Sequence, residues 1–555
     1  MDEDLSVPMN MVIPDPALLR PGTGDSVRVA HGAAVATPIE WLDEVAVVAD
    51  EIVRDGGPRL AVHRGDGSPD ATITLREATA DDLAGVPAAT GLRADGTVVD
   101  ERYRLVVSGG GVTIAAASAE GAFRGLTTLR QLITASGDGW LPALDIADGP
   151  RFAWRGLSLD VVRTFHPVAE VERVIDMLAL HKLNVLHLHL TDDQGWRFEV
   201  PGWPRLHELS DEGTPGAGLA GSASDEPSTG ADPSLLRPGG HFTDADIARL
   251  VAYGRARHVV LVPEVDLPGH VAAAVAAYPE LAGPAAGPAA VLAVGTERAN
   301  EFLRAVVACE AELFPDAAHL HIGADEAWGM DPDAYASYVG EVRDLVHAAA
   351  RRVIGWQEHA RASTTPDSIA QLWIEPDFID GAGDVSEAAA ATPPELLELI
   401  VEHLAAASGD LDAVVRQGAS ILLSPASQLY FDRPIAEASV DAEQEVRRAR
   451  LGLPVYPALV LSEVVGRDPL ASAPGVDRSR IAGVEAAIWC ETITDAADLE
   501  LLLLPRLAGL AEVSWGSPRP WPDHAAALAA QAPAWDARGW GYLRAATVPW
   551  RPVVG

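Results

Sequence analysis

Asp325 and Glu326 stand side by side in the stretch HLHIGADEAW, residues 319–328, directly after an apolar run that reads as a buried strand. Side chains alternate faces along a strand, so two adjacent acids within one would point to opposite sides. At the last residue of a strand the chain leaves the pleat, and both acids can then reach into one mouth. Carboxyls that share a mouth push their proton affinities apart, leaving one ionised and one protonated near neutral pH. That division of roles is what general acid/base chemistry needs.

Other apolar runs also end in chemically capable residues. They give Asp160 and Arg163, then His187, His189, Asp192 and Asp193, then Glu264, Asp266 and His270. Further on come Trp356, Glu358 and Trp373, then Tyr430 and Asp432, then Trp489 and Glu491. The tryptophans Trp356, Trp373 and Trp489 suit a sugar, whose apolar C–H face stacks on aromatic rings while polar groups read its hydroxyls. Taken singly, Asp325 could be a helix cap with Glu326 exposed, and any one tryptophan could be ordinary packing. Gathered at one rim, they describe a pocket.

The elements that must position these residues are eight short apolar runs. They are RGLSLDV near 155, NVLHLHL near 184, HVVLVPEVD near 258, HLHIGAD near 319, RVIGWQE near 352, IAQLWI near 369, ASILLSP near 419 and IAGVEAAIW near 481. Each is followed by a turn and a helical pattern, which implies a parallel sheet covered by helices. Eight such units predict an α/β fold of the (β/α)8 TIM barrel type, with its active site at the C-terminal strand ends. Residues 1–150 read instead as a small α+β domain, with helices in WLDEVAVVADEIVRDGG and SAEGAFRGLTTLRQLITAS. Residues 151–555 are then the barrel and its tail. DLELLLLPRLAGLAEVSW is expected to be the last barrel helix, and 516–555 a Pro- and Trp-containing tail. Residues 210–240, rich in Gly, Ser and Pro, read as a mobile surface loop, and 375–418 as an insertion containing the helix-like TPPELLELIVEHLAAAS.

A chain of 555 residues with 48% hydrophobic content is too long for one core and fully able to fold. A formal net charge of −39 repels nucleic acid and anionic membrane, and neither is an expected partner. Lys182 is the only lysine, and the arginine elsewhere reads as coding bias. There is no apolar run of about 18 residues to span a bilayer. The N-terminus MDEDLSVPMNMVIPDPALL is acidic and lacks a basic n-region, and Cys309 and Cys490 are the only cysteines. The expectation is a cytoplasmic protein, or a secreted one if a leader has been removed.

The block RGLSLDVVRTFHPVAEVERVIDMLALHKLNVLHLHLTDDQGWRFEV, residues 155–200, resembles the opening of the catalytic barrel of family 20 glycoside hydrolases, the β-N-acetylhexosaminidases. PEVDLPGH at 263, HIGADE at 321, GWQE at 355, LYFD at 429 and WCE at 489 are similar to that family's later motifs and come in the same order. The resemblance covers residues 150–515, and the first 150 residues resemble the small domain that usually precedes the barrel. It implies an exo-acting, retaining enzyme that removes terminal β-linked N-acetylglucosamine or N-acetylgalactosamine. The nucleophile would be the substrate's own acetamido oxygen, an exception to the usual pair of enzymic carboxyls. Glu326 matches the general acid/base, Asp325 the group that orients the acetamide, and Tyr430 the hydroxyl that holds its oxygen. Trp356, Trp373 and Trp489 match the pocket walls, and Arg163 and Glu491 the hydroxyl readers. Asp192, His270 and Asp432 match a supporting shell. No cofactor and no metal are implied.

The chain departs from the family pattern at Ala324, where glycine is commonest, and at Cys490, where a small polar residue is usual. Ala324 is expected to be tolerated on a negative φ, and Cys490 to face away from the pocket. The insertion after Trp373 is expected to shape the leaving-group side. Two other readings remain open at the sequence level. His187 and His189 on one strand face, with His270, His319 and His321, could serve a metal-dependent barrel hydrolase. A non-catalytic sugar-binding barrel would also use the tryptophans.

Overall fold

Each of the eight apolar runs forms a strand, and the eight close into a parallel barrel in chain order. They are Trp154–Asp160, Val185–His189, Val260–Leu267, His319–Gly323, Arg352–Trp356, Ile369–Leu372, Ser420–Leu423 and Ile481–Ile488. The computed structural model describes residues 11–64, 71–212, 239–284, 290–375, 378 and 394–550. A parallel strand covered on both faces needs apolar residues throughout, and every residue of Trp154–Asp160 and of Ile481–Ile488 is buried. The register sets side by side residues far apart in the chain. Asp160 pairs with His189, His189 with Glu264, and Glu264 with His321. One barrel layer is therefore polar, and it lies toward the C-terminal strand ends.

Before the barrel comes a seven-stranded mixed sheet. Its order is Leu18–Pro21, Leu144–Asp148, Tyr103–Ser108, Gly111–Ala116, Ile73–Glu77, Ala34–Thr37, Ala61–Arg64. The helices Leu42–Arg54 and Ala119–Ser136 occupy the stretches expected of them. Leu18–Pro21 and Leu144–Asp148 escaped the sequence reading, because LLRP and LDIAD are short and break the apolar pattern.

The lone lysine lies in the seam between sheet and barrel. Lys182 is fully buried, with its Nζ 2.9 Å from Asp148 and 2.9 Å from the Tyr103 hydroxyl, and it lies over the Trp515 ring. Arg155 of the first barrel strand donates to Glu101 beside it at 2.7 Å. The Lys182 ammonium is fully buried and paired, so this lysine has a structural place beyond coding bias.

Two other expectations need correcting. Residues 516–555 are not simply a tail, since Trp521–Ala537 is a helix packed against Ala119–Ser136 of the first domain. Its composition is apolar on all sides and includes Pro533, so no amphipathic stripe announces it. The expected last barrel helix is two, Ala496–Leu503 and Arg506–Trp515, parted at Pro505, which has no N–H to continue a helix.

In the expected loop at 210–240, helix Arg205–Glu212 leads in, and residues 213–238 lie outside the described residues. Within 375–418, helices Pro394–Ala407 and Asp410–Gln417 are present, and residues 376–377 and 379–393 lie outside the described residues. Among the described residues no helix is long and apolar enough to cross a membrane.

Candidate active site

The strand His319–Gly323 ends in a run of left-handed backbone. Gly323 has φ 62°, Ala324 75° and Glu326 42°. The negative φ expected of Ala324 is therefore wrong. A left-handed alanine is strained by about 1–2 kcal/mol, and the surroundings hold it there. Its N–H donates to Leu267 O at 3.0 Å, and its carbonyl accepts from the Tyr335 hydroxyl at 2.6 Å. This twist is how two consecutive acids reach the same mouth. They do not reach it equally: the Asp325 side chain is 12% exposed and that of Glu326 27%.

His270 faces both acids. Its Nε2 lies 3.5 Å from Glu326 and 4.0 Å from Asp325, while its Nδ1 donates to Asp192 at 3.2 Å. Burial would lower the pKa of His270, but Asp192 and Asp266 raise it well above the ordinary value, so the ring is a cation. Burial pushes Asp325 up to about 7, with Glu358 and Glu326 adding to the rise and His270 opposing it. One Asp325 oxygen has no hydrogen-bond partner among the described residues. A buried acceptor without a donor is costly, and a ligand N–H would relieve it.

The same Asp192 carboxylate lies 2.6 Å from Arg163, which also donates to Gln194 at 3.0 Å and lies over the Trp489 ring at 5.3 Å. Asp160 orients this loop by accepting from the Val162 and Arg163 N–H groups at 2.7 and 3.1 Å. Burial would raise Asp192, but Arg163 and His270 hold it well below the usual carboxylate range. Glu491 is pushed by burial up to about 6, with Arg163 opposing. Asp432 is fully buried, both its oxygens lack a hydrogen-bond partner among the described residues, and burial and Glu491 raise it well above its ordinary value.

Trp356, Trp373, Tyr430 and Trp489 pack in one cluster. Trp373 and Tyr430 lie nearly parallel, 6.1 Å apart, and Trp356 and Trp489 approach to 5.9 Å. The Trp373 indole donates to Glu358 at 3.1 Å and that of Trp356 to Glu264 at 2.9 Å. Their rings are thus locked from behind. The eleven residues to which the family resemblance gives a role lie at or just beyond the C-terminal ends of the barrel strands.

Beneath them lies a floor of histidines around Glu264. Its carboxylate is 3.2 Å from His187 Nε2, 2.7 Å from His189 Nδ1 and 2.9 Å from His321 Nδ1. Burial would raise Glu264, but His321, His189 and His187 hold it well below its ordinary value. His189 also reaches Asp192 through Nε2 at 2.8 Å, and although burial would lower it, Glu264 and Asp192 carry it to about 10. His319 lies lower, against Ala94 O and Trp154.

The sequence reading missed three residues of this region. His403, on the inserted helix Pro394–Ala407, lies 3.0 Å from Glu358 and 4.9 Å from the Trp328 ring. Tyr456 packs edge-on to Tyr430 at 6.1 Å. Trp328 stands two residues past Glu326 and could have been suspected as an aromatic beside the acids. Nothing local marks the other two. Cys490 is buried and belongs to the main apolar core, while its N–H donates to Asp160 at 2.9 Å.

A closed parallel barrel with paired acids and an aromatic box at its mouth is the architecture of a sugar-processing enzyme. Known proteins narrow this. Residues 152–518 match the model of the glycosyl hydrolase family 20 catalytic domain, and residues 10–149 that of the family's domain 2. A curated β-N-acetylhexosaminidase of Cellulomonas fimi is 36% identical over 97% of both chains. Among solved structures, the N-acetyl-β-hexosaminidase of Streptomyces plicatus in complex with Thio-NAglucal superposes with a TM-score of 0.76, at 32% identity over 98% of each chain. The family 20 β-N-acetylhexosaminidase of Streptomyces coelicolor A3(2) gives 0.77 at 31%, over 98% of this chain and 99% of that one. The chain belongs to glycosyl hydrolase family 20 and is a glycoside hydrolase.

Proposed function

We propose that the chain is an exo-acting, retaining β-N-acetylhexosaminidase that removes terminal β-linked N-acetylglucosamine or N-acetylgalactosamine by substrate-assisted catalysis. The observation that carries this reading is the pairing of a deep carboxyl, Asp325, with an adjacent, more open one, Glu326, at the same barrel end as the aromatic cluster. The relatives support it, and a Streptomyces plicatus variant has been solved in complex with product (GlcNAc).

In this mechanism the sugar's acetamido oxygen attacks its own anomeric carbon, so the nucleophile arrives already tethered and the step is close to unimolecular. Asp325 accepts the acetamide N–H, orients the group and offsets the positive charge that grows on the oxazolinium intermediate. The Tyr430 hydroxyl holds the acetamide oxygen in line. Trp356, Trp373 and Trp489 enclose the methyl group and the sugar face. Glu326 protonates the leaving oxygen and then takes a proton from the incoming water. The His270 cation beside Glu326 helps place that carboxyl. Arg163, Glu491 and Asp432 read hydroxyls, and Asp192 holds Arg163 and His270 in place.

The test is a pair of chromogenic β-glycosides that differ only at carbon 2. The N-acetylglucosaminide is expected to be hydrolysed with retained configuration, and the plain glucoside to be nearly inert. Similar rates on both would refute the tethered nucleophile. Glu326→Gln is expected to lower kcat on the N-acetylglucosaminide by about 10²–10⁴-fold with the fold intact.

A further inference from the structure

Outside the pocket, two histidines and two carboxylates from separate segments converge. His207 and Asp211 stand four apart on helix Arg205–Glu212, and so share one of its faces. Glu199 and His241 flank a bridge between Phe198 and Phe242, whose buried rings anchor both segments. The Cys309 thiol donates to the Glu199 carbonyl at 3.2 Å and fixes that backbone. One ligand atom each from Glu199, His207 and His241 all lie within 4.8 Å of one another.

The details are those of a metal centre rather than a chance charge cluster. His241 Nδ1 donates to Asp211 at 2.8 Å, which fixes the ring and leaves Nε2 with its lone pair. Carboxylates do this behind metal-bound histidines, raising their basicity. Nε2 then faces Glu199 Oε1 across 3.7 Å, too far for a hydrogen bond. It is close to the donor–donor separation of about 3.4 Å in a tetrahedral site with zinc bonds near 2.0–2.1 Å. His207 stacks on His241 at 4.5 Å, and its Nδ1 is buried without a partner among the described residues. The side chains of His241, Glu199 and Asp211 are 17, 40 and 44% exposed, so an ion can enter from solvent.

We infer that Glu199, His207 and His241, backed by Asp211, form a binding site for a divalent transition-metal ion of the zinc type. Two imidazoles and a carboxylate are the donors such an ion prefers, and water completes its coordination. Bound there, the ion ties helix Arg205–Glu212 to the segment that begins the next helical unit. This site takes no part in glycoside hydrolysis and stands independently of the function proposed above.

The experiment is titration of chelator-stripped full-length protein with zinc chloride alone, followed by calorimetry and equilibrium dialysis. One equivalent is expected to bind with micromolar or tighter affinity. His207→Ala/His241→Ala is expected to weaken that uptake by at least about 100-fold, and Asp211→Asn by about 10-fold with the ligands intact. An unchanged near-ultraviolet circular dichroism spectrum shows that the variants fold. No uptake by the parent protein overturns the inference. Undiminished uptake by the double variant also overturns it, since the ion would then belong to the barrel histidines.

Discussion

Near neutral pH, Asp325 is held between its two protonation states, because burial brings it up to about 7 in the ligand-free pocket. The ionised form accepts the N–H more strongly and alone offsets the positive charge of the intermediate. The kcat/KM of N-acetylglucosaminide hydrolysis, which reports the free enzyme, is therefore expected to rise as pH climbs through about 7. Asp325→Asn should remove that limb along with most of the activity. The same residue is linked to stability. A carboxyl whose pKa is higher folded than unfolded favours the fold below its unfolded value and loses that contribution as pH rises through the folded one. The urea midpoint of Asp325→Asn should therefore exceed that of the parent, the gap opening from about pH 4 and completing above about pH 7. Equal midpoints at pH 8 would show that Asp325 carries no such penalty. The left-handed φ angles of Ala324 and Glu326 add backbone strain at the same place. Strain and desolvation gathered at one pair of acids are the mark of residues placed for chemistry rather than for folding.

At the scale of elements, the strand ends deliver the site and the seam behind them keeps the barrel in place. Asp148 at the end of one sheet strand accepts from Tyr103 and Trp515 and pairs with Lys182, all buried. Removing one partner of a buried pair leaves the other charge without compensation, at a cost of about 3–5 kcal/mol. Lys182→Met is expected to lower the urea midpoint accordingly. Adding Asp148→Asn should restore much of it, because the stranded charge is gone. If the double variant is no better than the single one, lost packing and not charge accounts for the effect. The inserted helix Pro394–Ala407 acts at the other end, where His403 meets Glu358 behind Trp373.

For the whole molecule, the dominant fact is the charge of −39. The field of such a surface extends about a Debye length, roughly 30 Å at 10 mM salt and 8 Å at physiological ionic strength. Neutral aminosugars are indifferent to it, whereas an anionic substrate is repelled on approach. The kcat/KM for an aryl N-acetylglucosaminide carrying a sulfate should therefore rise several-fold between about 10 and 300 mM salt. That for its unsulfated counterpart should stay flat. A parallel response of both substrates would place the salt effect elsewhere.

The barrel was legible because covered parallel strands must be apolar from end to end, and eight such runs survive as an uninterrupted pattern. The acids, tryptophans and Tyr430 were legible for the complementary reason, as polar or amphipathic residues that end those runs. The strands Leu18–Pro21 and Leu144–Asp148 and helix Trp521–Ala537 were not, since their pairing and burial depend on segments far away in sequence. The same holds for the buried place of Lys182, for His403 and Tyr456 beside the pocket, and for the gathering of Glu199, His207 and His241. Sequence periodicity reports which face of an element meets a core. Only the closed tertiary structure decides which residues from different elements meet each other, because those distances are set by register and packing and have no local signature.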